Sequence, residues 1–276
     1  MSATAVTAPS AATRLRYRFH AARRGWSSLG LFRHRHCDGF IVSMHQSGTH
    51  WLKFMLASAL ARRHGVPPPR FNHANDLIGG VRDPVLYPQI PRLVSSHTIA
   101  HPLLAGDVVR RLIALPRYVV LVRDLRAMLV SNYEKWKTRY GCTFSAYLAG
   151  DPTSNRFNSD LWWCLRFMNA WGEVAARQPR TTLVLRYEDL KADPAAGLRG
   201  VRDFLGLDLG DDHLDAGVAA ATKANMGRLH DPERIGGEVR EDERDPRLWF
   251  TDADEAFLAA ACRRLLRHRF GYDYGS

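Results

Sequence analysis

What the sequence lacks narrows its function first. Cysteine occurs only four times, at Cys37, Cys142, Cys164 and Cys262, widely scattered and without a C-x-x-C pair. Neither a zinc site nor a disulfide framework is suggested, and reduced thiols in a cytoplasmic protein are the expectation. No apolar run is long enough to cross a bilayer, which argues against a membrane-anchored chain. The nucleoside-triphosphate signature G-x-x-x-x-G-K-[ST] is missing too. Ser43 stands where its first glycine would be and Thr49 where its lysine would be. No arginine-aromatic platform or zinc module for nucleic acid is found, so no nucleic-acid partner is expected. Acidic residues are absent before Asp38.

What the sequence does have is positive charge. Lysine and arginine number 39 against 28 acidic residues, a formal net charge of +11. Such a balance suits an anionic ligand or an acidic membrane surface. At 276 residues and 46% apolar content the chain can build one sizeable core, with room for an appendage. Residues 1–12 carry no charged side chain, are mainly Ala, Ser, Thr and Pro, and are expected to lack structure. From Arg14 to His36, arginines and histidines interleave with Leu15, Tyr17, Phe19, Trp26, Leu29, Leu31 and Phe32. The pattern is read as an N-terminal arm packing on the domain, and it leaves room for a transit peptide or a segment resting on an anionic membrane. The division is therefore a basic arm over 1–37, partly disordered, and a main domain over 38–276.

The chain is organised around residues 39–56. Phe40 to Met44 reads as a short buried strand, and Trp51, Leu52, Met55, Leu56, Ala59 and Leu60 recur at helical spacing. Between them, Ser47-Gly48-Thr49 forms a tight turn. The first N–H groups of the helix then point at one spot with the positive end of the dipole behind them, which suits a phosphate. A plainer alternative is that Ser47 only caps the helix.

Further along, Val66-Pro67-Pro68-Pro69 opens a long loop to about Pro91, read as a wall of an acceptor site. Arg92 to Ser96 is a second strand ending at Ser96-His97. Leu103 to Leu115 looks helical, and Tyr118 to Val122 is the most strand-like run, stopping at Arg123-Asp124. A helix follows through Leu125, Met128, Leu129, Tyr133 and Trp136, carrying Ser131 eight residues after Arg123. A salt bridge from Arg123 to Asp124 or Glu134 is the plain alternative to a binding role. Residues 140–157 read as a loop, 158–178 as an amphipathic helix, Thr181 to Tyr187 as a strand, and 194–205 as a helix. Glu238 to Asp245 reads as solvated charge. A terminal helix begins near Asp252, capped by Thr251, and runs to about Arg269.

Ser47-Gly48-Thr49-His50-Trp51 after an apolar strand resembles the 5′-phosphosulfate loop of the sulfotransferases that use 3′-phosphoadenosine 5′-phosphosulfate (PAPS). That family reads Pro-Lys-Ser-Gly-Thr-Thr-Trp there, so His45-Gln46 replaces Pro-Lys. Ser96-His97 resembles the family's Lys-Thr-His, whose histidine is the catalytic base. Arg123 and Ser131 have the spacing of the family's 3′-phosphate grip. Tyr187 in Tyr187-Glu188-Asp189-Leu190, and Thr222 and Met226, match segments beside the adenine. Arg234-Ile235-Gly236 resembles the family's Arg-Lys-Gly closing segment.

The resemblance covers roughly residues 38–270. It implies an α/β fold, a P-loop-like three-layer sandwich with a central, mainly parallel sheet flanked by helices. It also implies a sulfotransferase with PAPS as co-substrate, no metal, and a small-molecule, lipid or carbohydrate acceptor. A homodimer is compatible with it. His97 would take the acceptor's proton. Gln46, Ser47, Gly48, Thr49 and His50 would surround the 5′ end, Trp51 would stack on the adenine, and Arg123, Ser131, Arg234 and Gly236 would hold the 3′-phosphate. Gln46 brings no charge to the departing oxygen, so Lys53, one turn into the helix, or His50 is expected to supply it. Two rival readings remain. A metal-dependent kinase would use Asp124 as a magnesium ligand. A catalytically weak protein would only bind adenosine 3′,5′-bisphosphate.

Overall fold

The computed structural model describes residues 8–27, 36–153, 156–157, 159–233 and 245–275. Its centre is a sheet of four parallel strands, β1 (Gly39–Ser43), β2 (Leu93–Ser96), β3 (Arg117–Val122) and β4 (Thr182–Arg186), in the order β2-β1-β3-β4. Val42 stands opposite both Ser96 and Val120, and Val122 opposite Arg186, so the strands finish along one edge. β1 is buried throughout and β3 everywhere but Arg117, as strands covered on both faces should be.

Side chains alternate between the faces. Phe40, Val42, Tyr118 and Val120 join a cluster rich in aromatics, including Trp162 and Trp171. Ile41, Val119 and Leu121 join a mainly aliphatic one with Leu52, Met55 and Leu198. The first cluster is covered by α4 (Leu125–Tyr140), α6 (Leu161–Arg177) and α11 (Asp252–Leu265), the second by α2 (Thr49–His64), α8 (Pro194–Leu205) and α9 (Asp211–Ala220). This is the expected three-layer α/β sandwich.

Several expectations change. Ala11 and Ala12 begin α1 (Ala11–Ser27), so the unstructured stretch expected over 1–12 does not extend that far, and residues 1–7 lie outside the described residues. Tyr17 of α1 is buried, its ring 5.7 Å from Trp162. The helix expected over 103–115 divides into a 3-10 turn (Pro102–Ala105) and α3 (Asp107–Leu112), because Gly106 takes an extended conformation between them. Residues 140–157 contain a short helix, α5 (Phe144–Ala149), started by Thr143 Oγ1 accepting from Ala146 N. Two short helices, α7 (Tyr187–Ala192) and α10 (Lys223–Arg228), and the longer α9 have no counterpart in the periodicity. α11 stops at Leu265, four residues short of expectation, with Thr251 capping it as read. The charged run 238–245 lies almost wholly outside the described residues. The four cysteines form no disulfide. Among the described residues no helix is long and apolar enough to cross a membrane.

Candidate active site

The strand order places a switch point between β1 and β3, because the chain leaves β1 toward one side and β3 toward the other. Open α/β sheets bind ligands at the carboxyl ends beside such a point. The loop at Gly48 follows β1, His97 follows β2, Arg123 follows β3, and Tyr187 follows β4. Residues far apart in sequence thus share one rim.

The loop after β1 is shaped by backbone handedness. Gln46 has φ 56° and Gly48 φ 85°, with Ser47 between them in an ordinary conformation. Such alternation turns successive N–H groups toward one side, a concavity suited to anions. Gly48 is required twice over. Its φ is left-handed, and a Cβ there would lie 2.6 Å from Tyr187 Cδ2. Gly48, not Ser47, is the N-cap of α2, and no side chain caps the helix. Ser47 Oγ instead donates to Met44 O at 2.6 Å, and Thr49 Oγ1 donates to Ser43 Oγ at 2.7 Å. Both hydroxyls are engaged inside the turn, so its affinity for an anion rests on backbone N–H groups.

Arg123 meets this loop from β3. Its Nη1 donates to Gln46 O at 2.7 Å, and its guanidinium lies 4.5 Å from the centre of the Tyr187 ring. Its Nε is buried without a hydrogen bond. Asp124 caps α4, accepting from Arg126 N and Ala127 N, with burial raising its pKa. Glu188 Oε1 in turn accepts from Asp124 N at 3.0 Å. A cation over an aromatic face, with one nitrogen unspent, fits a phosphate beside the loop. Ser131 sits half-buried on α4.

His97 Nδ1 donates to Ser43 O at 2.9 Å and lies 3.2 Å from Ser43 Oγ. A carbonyl accepts only from a protonated nitrogen, so this contact puts the lone pair of neutral His97 on Nε2. The His45 ring stacks on His97 at 3.8 Å and meets Trp163 at 5.1 Å. Burial, then the neighbouring His97 and Lys135, hold the His45 pKa down to about 3, so it is neutral. Nothing in the spacing pointed to this group, since the end of β1 brings Ser43 and His45 to His97 after β2, and α6 brings Trp163 to His45.

The remaining residues spread outward. Lys53 is buried and its Nζ donates to Asn75 Oδ1 at 2.6 Å, tying α2 to the 66–92 loop. The His50 ring is 6.4 Å from His73. Trp51 Nε1 donates to Ala221 O and its ring is 6.3 Å from Tyr187. Thr222 caps α10, and Met226 is buried in the aliphatic cluster. Arg234 and Gly236 lie outside the described residues.

A family model described as a sulfotransferase domain matches residues 37–230. The chain is 31% identical over 133 residues to Sulfotransferase 2A6 of Mus musculus, 45% of this chain and 42% of that protein. It is 29% identical over 192 residues to Sulfotransferase 2A1 of Mus musculus, covering 64% and 62%. To Cytosolic sulfotransferase 3 of Arabidopsis thaliana it is 27% identical over 184 residues, covering 63% and 55%. The chain thus spans about half the length of the curated relatives it matches. Among solved structures, mouse sulfotransferase SULT7A1 complexed with PAP shares the fold with a TM-score of 0.58 at 17% identity, over 90% of this chain and 91% of that one. Retinol dehydratase in a complex with retinol and PAP follows with a TM-score of 0.56 at 14% identity, over 93% and 88%.

Proposed function

This chain belongs to the sulfotransferase family, and from that premise we propose that it moves a sulfuryl group from PAPS to a hydroxyl or amine of a small-molecule, lipid or carbohydrate acceptor. One observation carries the reading. Arg123 donates to the carbonyl of Gln46 inside the anion loop, so two phosphate grips formed on neighbouring strands share one rim. Nucleotide neighbours of the fold are consistent with it, since both solved structures named above hold PAP.

In this reading the N–H groups of Ser47 to His50 hold the 5′-phosphate. Arg123 and Ser131 hold the 3′-phosphate, with Arg234 and Gly236 closing over it. Tyr187, Thr222, Met226 and Trp51 line the purine side. His97 takes the acceptor's proton on Nε2, as a neutral imidazole near physiological pH is suited to do. An acceptor–sulfur bond then forms while the bond from sulfur to the donor's bridging oxygen breaks, and adenosine 3′,5′-bisphosphate leaves. Gln46 donates a neutral hydrogen bond to that departing oxygen. Lys53, whose ammonium is tied to the neutral Asn75 Oδ1 and keeps its charge, or His50 at the helix mouth supplies positive charge there.

The 66–92 loop is read as the acceptor wall, 38–276 as the catalytic domain, and 1–37 as its arm. Peripheral contact with an anionic membrane belongs to the same reading. It is supported by Leu15, Phe19 and Trp26, exposed on the arginine-rich α1. The test is incubation with sulfur-labelled PAPS and a panel of hydroxyl and amine acceptors, without added metal. Label should pass to an acceptor and the wild-type chain should bind adenosine 3′,5′-bisphosphate. Transfer from ATP that requires magnesium, or nucleotide binding with no transfer to any acceptor, would replace this reading.

A further inference from the structure

A second concentration of positive charge lies on the flank of α6, away from the strand ends, with Arg166 buried and Arg18, Arg264 and Arg267 exposed at its mouth. α6 enters beside the rim, where Trp163 meets His45, and its later turns line a cleft of about 440 Å³ beneath α1. The apolar walls include Tyr17 and Ala21 of α1, Ile99, Pro102 and Ala170. The size falls within the roughly 300–1,000 Å³ typical of ligand pockets.

Charge in the cleft is one-sided. Arg18, Arg166, Arg264 and Arg267 line it against a single acid, Glu173, which is already paired with Arg177 and His268. Arg166 is the unusual member. It is 6% exposed, yet neither its Nε nor its Nη1 makes a hydrogen bond. Beside it, His20 is equally buried and its Nε2 is unbonded as well. The acid acting on Arg166 is Asp160, which caps α6 by accepting from Trp163 N. Leaving two nitrogens of a buried guanidinium without acceptors is costly, and its fork matches a carboxylate or phosphate edge.

We propose that this cleft is a second binding site, separate from the strand-end rim, for an anionic amphiphile. A carboxylate or phosphate head is held by the charge of Arg166, and an apolar tail lies between α1 and the Ile99–Pro102 segment. The probes are decanoate below its micelle concentration and inorganic phosphate, each titrated calorimetrically into the full chain. Decanoate should bind, and bind more tightly than phosphate because its tail buries apolar surface. Arg166→Met should weaken decanoate by about tenfold or more, with affinity for adenosine 3′,5′-bisphosphate unchanged. Ala170→Phe, which fills the cleft and keeps Arg166, should also abolish decanoate binding. It decides the matter if the first variant does not fold.

Arg166-dependent sedimentation with phosphatidylglycerol vesicles would identify the source as a lipid, and decanoate binding without it a free amphiphile. Absence of decanoate binding to the wild type, equal binding to both variants, or one-for-one competition with the nucleotide would overturn the proposal. Each is readable whether or not sulfuryl transfer is found.

Discussion

Arg123 is half-buried and Arg166 buried, and the fold treats them in opposite ways. Arg123 ends a strand, and its position is set from three sides by β3, the carbonyl of Gln46 and the ring of Tyr187. Arg166 sits in the middle of a long helix, where the backbone spends all its own donors and acceptors and offers the guanidinium nothing. The rim therefore gathers unspent N–H groups and a fixed cation at one point, whereas the α6 flank has a cation within apolar walls. The first arrangement suits a polyanion such as a nucleotide. The second suits a single anionic head with an apolar tail.

The largest effect should come from His97→Ala. If His97 is the base, kcat falls by about 10²–10⁴ while affinity for adenosine 3′,5′-bisphosphate stays the same. A comparable loss in both would make His97 part of the binding rim instead. Next, Arg123→Met should raise the Kd for that nucleotide by about two orders of magnitude, against no change for Arg166→Met. Equal effects of the two variants in isothermal titration would erase the distinction between the regions.

Gly48→Ala should weaken nucleotide binding by about tenfold or more, since the left-handed conformation alone costs about 1–2 kcal/mol and the new methyl meets Tyr187. Unchanged affinity would mean that the turn relaxes freely. A last effect, on stability and not on binding, is a pH dependence. The folded pKa of His45, about 3, lies below the unfolded value near 6.5. Stability from keeping it neutral is complete above about pH 6.5 and drains away as pH falls toward 3. His45→Phe keeps the stack on His97 and should flatten the acid loss by at most about 1.4 kcal/mol per pH unit. Identical denaturation slopes for both proteins between pH 6.5 and 4 would refute it.

Much of this was legible in the chain. The apolar runs at 40–44 and 118–122 gave the two central strands, since a strand buried on both faces has no polar alternation to obscure it. Ser47-Gly48-Thr49 and the Arg123–Ser131 spacing pointed to the two ends of the rim. α5 and α10 escaped notice because helices of six residues hold too little periodicity to stand above a loop. Asn75 holds Lys53 from the loop before β2, a contact that no spacing in the chain announces.

By itself the sequence determined which segments become strands and helices and where the tight turn falls, because those depend on local periodicity and on the backbone freedom of a few residues. Only the tertiary structure decided that Arg123 reaches Gln46, that His45 covers His97, and that Arg166 lies buried with its Nε and Nη1 unbonded. Each of those facts joins residues from separate elements, and their meeting depends on strand order and helix packing, which no stretch of chain encodes alone.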